Sequence, residues 1–267
     1  MQAPPPNPMP TTTENGREGH SQRVASMFGR IAGWYDFLNH FLSLGLDVYW
    51  RHRLVRLVRV GSTGRVLDLA AGTLDVARKV RRQHPEAAVL GLDLTLPMLR
   101  QGQAKLKRWG ERGVFPVGGD ATALPLAPAS VDCVTLAFGI RNIPARGLAY
   151  AEIFRVLAPG GRLCILEFGS AQNRIWKGLY NFYLHTVLPL AGRCISKDPE
   201  AYAYLARTIQ DFPPARLLAG ELAAAGFDSV GYIPLQSGIV YLHIAEKPGA
   251  AFAEAPAKDP AASRKSG

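Results

Sequence analysis

Between residues 65 and 168 of this 267-residue chain, short aliphatic runs alternate with longer amphipathic stretches. The strand-type runs are Arg65–Leu69, Ala88–Leu92, Val114–Val117, Val131–Ala137 and Arg162–Phe168. Helical patterns occupy Asp75–Gln83, Pro97–Trp109 and Arg146–Leu157, the last ending at Pro159-Gly160-Gly161. Apolar strands separated by helices predict a parallel sheet covered on both faces. After Phe168 the rhythm changes. An aromatic-rich helical stretch (Ile175–Leu190) and a helix (Pro214–Ala225) precede two β-type runs, Ser229–Ile233 and Ile239–Ala245. A Gly-containing loop joins those runs, which predicts a hairpin. The expected fold is α/β, a seven-stranded Rossmann-like sheet closed by a terminal antiparallel hairpin. One domain, 23–247, is expected to hold it. The helical segment 23–60 and the insertion 173–210 lie outside the core and are expected to form a lid over the carboxyl ends of the strands, where open α/β sheets bind ligands. The segments 1–22 and 248–267 are poor in large apolar residues and read as disordered tails.

Charge is distributed unevenly. The net +10 is concentrated in residues 23–112, which alone carry +9. Arg51, Arg53, Arg56 and Arg59 and the RKVRR run at 78–82 dominate that excess, a field suited to a polyanion or an anionic lipid surface. A solvated helix face accounts for it equally well. No run of about 18 apolar residues is present, so no membrane-spanning helix is expected. The first residues, MQAPPPNPMPTTTENG, lack the basic start and apolar centre of a secretory signal. Cys133, Cys164 and Cys194 match neither a metal-ligand spacing nor a disulfide framework, so a reducing compartment and no metal are expected.

The chemistry concentrates at the strand ends. Residues 66–77 (VLDLAAGTLDVA) read as strand, small-residue turn and helix. Ala70, Ala71 and Gly72 permit close backbone approach, and Thr73 can cap the helix or bond a ligand. Asp93 closes the second strand about twenty residues on, where a carboxylate can accept both hydroxyls of a ribose. Taken alone, Asp93 reads equally as the cap of the helix that follows. Asp120 and Ala121 end the third strand, suited to an adenine amine or simply to a tight turn. With Asp68, three successive strands thus end in acidic residues. Neither G-x-G-x-x-G nor a phosphate-cradling G-x-x-x-x-G-K-[ST] occurs. A phosphate-free adenosine compound fits, and S-adenosylmethionine is one.

Several segments carry a closer likeness. RIAGWYDFLNHFLSLGLDVYWR (30–51), GDATALPL (119–126), FGIRNI (138–143), RVLAPGGRLCILEF (155–168), Tyr202-x-Tyr204-Leu205 with Phe212-Pro213, and AGFDSVGYIPLQSGIVYLHIAEK (225–247) resemble the ubiquinone/menaquinone biosynthesis C-methyltransferases. The likeness runs from about Val24 to Lys247. It implies a class I methyltransferase sheet and S-adenosylmethionine-dependent methylation of a ring carbon of a polyprenylated quinol. It further implies cofactor contacts at Asp68, Gly72, Thr73, Asp93, Asp120 and Ala121, with Arg141 and Asn142 facing the quinol. Two departures stand out. The family's G-T-G-D turn reads Gly72-Thr73-Leu74-Asp75, which leaves either ordinary backbone angles there or an altered cofactor mode. Ala137 replaces a hydroxyl residue found in some members.

Ring methylation requires a dry pocket and a stabilised phenolate. Arg141, a permanent cation, is expected at the phenolate oxygen, in preference to a salt bridge with Glu152 or Glu167. Asn142 is expected at the second ring oxygen. For the proton acceptor, Tyr35 with Asp36, His243 and a bound water are alternatives, although His243 reads first as a core histidine. Apolar residues in 175–190 suit a prenyl tail. With the basic face at 51–59 they imply a cytoplasmic enzyme peripheral to an anionic membrane; a homodimer stays open. Two rivals are a nucleic-acid methyltransferase and a non-catalytic membrane-bound partner. Against the first, the fourth strand ends Leu136-Ala137-Phe138-Gly139 with no Pro-Pro-aromatic motif, and no nucleic-acid-binding module is present.

Overall fold

The computed structural model describes residues 14–169 and 199–249. Helix α1 (Glu14–Leu42) and α2 (Leu46–Val55) precede β1 (Arg65–Leu69), α3 (Asp75–Gln83), β2 (Ala88–Asp93), α4 (Leu96–Arg108) and β3 (Val114–Gly118). Then follow β4 (Val131–Ala137), a 3-10 turn (Ile140–Asn142), α5 (Arg146–Val156) and β5 (Leu157–Phe168). Beyond these come α6 (Pro199–Gln210), α7 (Ala215–Ala224), β6 (Asp228–Leu235) and β7 (Val240–Glu246). The seven strands lie in the order β3-β2-β1-β4-β5-β7-β6. All neighbours are parallel except β7, which is antiparallel to both β5 and β6. Strand order therefore reverses between β1 and β4, and that switch point opens a crevice at their carboxyl ends.

Alternation along the strands sorts the core. Val66, Val89, Cys133 and Cys164 face one side with Leu54, Leu74 and Val80. Leu67, Leu69, Val134 and Ile165 face the other with Tyr150, Ile153, Leu218 and Leu222. Strands buried on both faces need apolar side chains at successive positions, which is the pattern seen in the sequence. Two of the strand prolines sit on edge strands, where proline is tolerated: Pro116 on β3 and Pro234 on β6. Cys133 and Cys164 are free and buried.

Two boundaries differ most from expectation. Helix α1 begins at Glu14, so residues 14–22 are helical rather than tail; residues 1–13 and 250–267 lie outside the described residues. Strand β5 begins at Leu157, through the Pro159-Gly160-Gly161 segment that read as a break. Its pairing with β4 jumps from Val131↔Leu157 to Cys133↔Arg162, and Gly160 adopts φ 76. The segment is thus a bulge within a strand, where glycine supplies the left-handed residue. The expected helix Ile175–Leu190 lies outside the described residues.

The basic field is also thinner than its sequence. Arg51 is buried against Asp75 at 3.0 Å. Arg78 and Arg82 both pair with Glu111, at 2.9 and 2.7 Å. Arg162 and Arg59 share Glu246.

Candidate active site

A cavity of about 330 Å³ opens at the switch point. The β1–α3 turn contributes Leu69, Ala70 and Gly72, and the β2–α4 junction contributes Asp93, Leu94, Thr95 and Met98. Gly119–Thr122 after β3 and Ala137–Gly139 after β4 complete the strand-end walls, while Asn142–Ala145 and Leu148 close one end. Val24, Ala25, Phe28 and Tyr35 of α1 form the roof. Among these described lining residues the ionisable groups are Tyr35, Asp93 and Asp120; none is a lysine or arginine. Such a wall repels phosphate. It suits a ligand that offers hydroxyls, amines or a cation.

Asp93 lines the cavity and joins two of its turns. Its Oδ2 accepts the Gly72 N–H at 2.8 Å and its Oδ1 the Thr95 N–H at 2.7 Å, tying the two turns together. A carboxylate has about four acceptor sites, so these two backbone bonds do not exhaust the capacity of Asp93, which lines the cavity. Burial pushes this carboxyl above its usual range, opposed by those backbone donors. Asp120 Oδ1 accepts from the Thr122 N–H and hydroxyl, both at 2.8 Å, and Ala121 lines the cavity beside it.

Asp68 and Thr73 are placed differently from the expectation. Asp68 shares strand parity with Val66, so its side chain turns toward α3 rather than the cavity. There Oδ2 accepts the Ala77 N–H at 2.9 Å and Oδ1 the Thr135 hydroxyl at 2.7 Å. Burial pushes its pKa up to about 7. It anchors the start of α3. Thr73 is buried and its hydroxyl donates to Asp36 Oδ1 at 2.5 Å. Asp36 also receives Lys105 Nζ at 2.7 Å, and Lys105 reaches Asp75 Oδ1 at 2.6 Å. Asp75 in turn binds Arg51, which lies 3.7 Å from Asp47, itself bonded to His40 at 2.8 Å. Burial opposes ionisation of Asp75, but Lys105 and Arg51 outweigh it and hold the carboxyl below its usual range. One chain of charges thereby joins α1, α2, α3 and α4 around the β1–α3 turn. Asp36 is a tie within it and not part of the cavity wall, whereas its neighbour Tyr35 is.

Leu74 resolves the departure at that turn. It adopts φ 65, so the backbone is left-handed despite the side chain, a conformation costing about 1–2 kcal/mol. The side chain is buried and points away from the cavity. A Cβ placed on Gly91 would stand 2.3 Å from Leu74 Cδ2, and one on Gly102 2.7 Å from Leu74 Cγ. Two glycines, one in β2 and one in α4, thus vacate the slot that Leu74 fills. The cleft stays clear.

Arg141 also differs from the expectation. Its guanidinium donates to Phe138 O at 2.7 Å and pairs with Glu167 at 2.5 Å, buried, instead of lining the cavity. Burial raises Glu167, with Arg141 opposing. The ion pair secures the turn in which Phe138 holds φ 58 and from which Asn142 enters the cavity. Tyr204 of α6 donates to Asn142 Oδ1 at 3.2 Å, which directs the amide nitrogen. His243 is a core residue: Nε2 meets Ala215 O at 3.1 Å, and burial lowers its pKa to about 4. The sequence placed segment 23–60 as a lid and named Tyr35, but it singled out neither Val24, Ala25 and Phe28 as lining residues nor Lys105. The spacing of Val24, Phe28 and Tyr35 on one helical face was the available signal for the roof; nothing local marked Lys105.

Comparison with known proteins agrees with this geometry. Residues 17–247 match the model of the ubiE/COQ5 methyltransferase family. The chain is 40% identical over 230 residues to a ubiquinone/menaquinone biosynthesis C-methyltransferase of Saccharophagus degradans, covering 85% of this chain and 92% of that one. It is 41% identical over 222 residues to a demethylmenaquinone methyltransferase of Thermus thermophilus, covering 83% and 100%. A solved S-adenosylmethionine-dependent methyltransferase of Thermotoga maritima shares the fold at TM-score 0.60 and 16% identity, over 83% of this chain and 99% of that one. So does the phosphoethanolamine N-methyltransferase 2 of Haemonchus contortus in complex with S-adenosylmethionine, at TM-score 0.62 and 17% identity, over 90% and 62%. Sheet order, acidic strand ends and the match across nearly the whole described chain lead to one conclusion: this chain belongs to the ubiE/COQ5 methyltransferase family.

Proposed function

We propose that this chain is a quinone-biosynthesis enzyme that methylates a ring carbon of a polyprenylated quinol: demethylmenaquinol, a methoxy-benzoquinol, or both. The observation that carries this reading is the cavity whose charged groups, among the described lining residues, are the carboxylates of Asp93 and Asp120. It fits S-adenosylmethionine, a phosphate-free adenosine compound bearing a cation. When bound, that cofactor supplies an electrophilic methyl group on a sulfonium. Asp93 holds the ribose hydroxyls with the lone pairs left free by Gly72 and Thr95. Asp120 and Ala121 receive the adenine amine and ring, and Gly72 and Ala70 allow close approach of the backbone.

On the acceptor side, Asn142 presents its amide nitrogen to a quinol oxygen and stabilises negative charge there. Arg141 acts through Asn142, by fixing the turn that carries it. Among the described lining residues Tyr35 is the ionisable group other than the two aspartates; its hydroxyl relays the quinol proton by accepting it while passing its own to a water that carries it to solvent. The α1 roof and the apolar lining exclude water, which strengthens each of these contacts. Residues 23–247 act as one unit, peripheral to an anionic membrane that holds the lipid substrate.

Incubation with methyl-labelled cofactor and each demethylated quinol, followed by mass analysis, tests this reading. Label on a ring carbon is expected; label on no quinol would overturn it. Asp93→Ala is expected to weaken cofactor binding by calorimetry by about 100-fold or more. That follows from the loss of a carboxylate bonded to two hydroxyls, at about 1.5–3 kcal/mol for each hydrogen bond to a charged group.

A further inference from the structure

Of the fifteen large apolar side chains exposed on the described residues, seven fall between Trp34 and Tyr49: Trp34, Phe37, Phe41, Leu44, Leu46 and Val48 complete the set with Tyr49. They are not scattered. Arg30, Trp34, Phe37 and Phe41 follow one another at i, i+4, i+7 and i+11 on a single face of α1. Trp34 packs edge-on to Phe37 at 6.4 Å, and Phe37 stacks on Phe41 at 5.9 Å. Leu44, 85% exposed, sits at the corner, where Gly45 closes α1 in a left-handed conformation with its N–H on His40 O. Leu46, Val48 and Tyr49 continue the surface along α2, and Arg53 and Arg56 follow Tyr49 on the same helical face. Arg53 donates to the Tyr49 hydroxyl at 2.9 Å.

We propose that this corner is a docking surface for an anionic lipid bilayer. Its apolar tip is flanked by arginine on both helices, an arrangement in which aromatic and aliphatic groups enter the acyl boundary while guanidinium groups stay among the headgroups. The charge is one-sided. Between residues 30 and 60 the acidic residues are Asp36 and Asp47, and both are turned inward into the Lys105 and Arg51 ion pairs. What faces outward is therefore positive or apolar, which selects an anionic membrane over a neutral one. A monomeric soluble protein rarely leaves so continuous an apolar surface uncovered. The opposite face of α1 roofs the cavity, so one helix separates bilayer from active site. The proposal rests on the reading of the substrate as a lipid-tailed quinol, and it extends the 51–59 face suggested by charge to the apolar α1–α2 corner that Arg53 and Arg56 adjoin.

Flotation of the full chain with vesicles of phosphatidylcholine, with and without phosphatidylglycerol, tests it. The wild type is expected to float with the mixed vesicles. The triple variant Phe37→Ser/Phe41→Ser/Leu44→Ser is expected to lose about tenfold or more of that partitioning. Arg53→Glu/Arg56→Glu is expected to lose the preference for the anionic lipid. Calorimetric binding of S-adenosylmethionine, unchanged in both variants, shows that they are folded. No vesicle binding by the wild type, or equal binding by the triple variant, would overturn the proposal. So would a wild-type dimer that the triple variant converts to monomer with vesicle binding intact, which would assign the corner to a second copy. Retention on nucleic acid in place of anionic vesicles overturns it as well. If the expected vesicle results hold but no quinol is methylated, the docking surface stands and the enzymatic reading fails.

Discussion

At the scale of the residue, Leu74 shows how a departure from a motif is absorbed by its neighbours. Left-handed backbone at a leucine costs about 1–2 kcal/mol, whereas emptying a buried leucine site costs about 2.7–5 kcal/mol. The packing term is the larger. Leu74→Gly, which restores the family's glycine, is therefore expected to destabilise the protein by about 2 kcal/mol or more in urea denaturation. Gly91→Ala alone is expected to cost about 1–3 kcal/mol, since its methyl group meets Leu74. With Leu74 gone, the next neighbours of that methyl are Ala71 and Ala77 at 3.4 and 3.8 Å, ordinary contact distances. The double variant is expected to be more stable than the sum of the singles by about 1–2 kcal/mol. Additive losses would show that the slot is not shared. The sequence marked Leu74 as unusual, but its counterpart glycines looked ordinary, because the pairing exists only once β2 and α4 are side by side. Asp68 and Asp93 were likewise alike as strand-end acids. Strand parity sends the first to α3, and only the second, at the last position of its strand, reaches the cavity.

At the scale of the element, strands β1 to β4 were legible to within a residue because apolar side chains run continuously along buried strands, while the exposed edge strand β6 runs two residues past its expected end. Strand β5 departs further: Pro159-Gly160-Gly161 are turn residues in any local reading, and only the partner β4 makes them a bulge. The role of α1 was less legible still. Its function as a roof depends on Asp36, whose partners Thr73 and Lys105 lie far along the chain. Asp36→Asn keeps the size and can keep the Thr73 bond, but it removes the charge that Lys105 faces. That ion pair is mostly buried, with side chains 16% and 23% exposed, so it escapes much of the screening that weakens surface pairs. A loss of about 1.5–3 kcal/mol is expected. It should appear locally, as exchange of α1 amides faster by about tenfold or more while β4 amides are unchanged. Uniform acceleration across the sheet would make Asp36 a determinant of global stability and not a tie of the roof.

At the scale of the whole molecule, two buried groups on opposite sides of the sheet give stability opposing dependences on pH. Asp68 is raised from 3.8 to about 7 by burial, so between those values the folded state holds a proton that the unfolded chain has released. Its contribution falls as pH rises across that window. His243 is lowered from 6.5 to about 4, so between those values the unfolded chain holds the extra proton. Its contribution is complete above 6.5 and is lost as pH falls toward 4. Other carboxylates titrate in the same range, so the shapes are read from differences between wild type and variant. Wild type minus Asp68→Asn is expected to decline from about pH 4 to about pH 7, by on the order of 3 kcal/mol. Wild type minus His243→Gln is expected to climb from about pH 4 to about pH 6.5 by a similar amount. Urea denaturation at half-unit pH steps measures both curves. The Asn variant keeps an acceptor for Thr135 and the Gln variant a donor for Ala215, so the constant parts of each substitution drop out of the slopes. Two parallel curves, or a flat curve for either variant, would mean that the group concerned is not held in the buried setting that Thr135 and Ala77 give Asp68 and Ala215 gives His243. Opposite slopes would tie the acid stability of the fold to the same β1–α3 junction that carries the proposed cofactor turn.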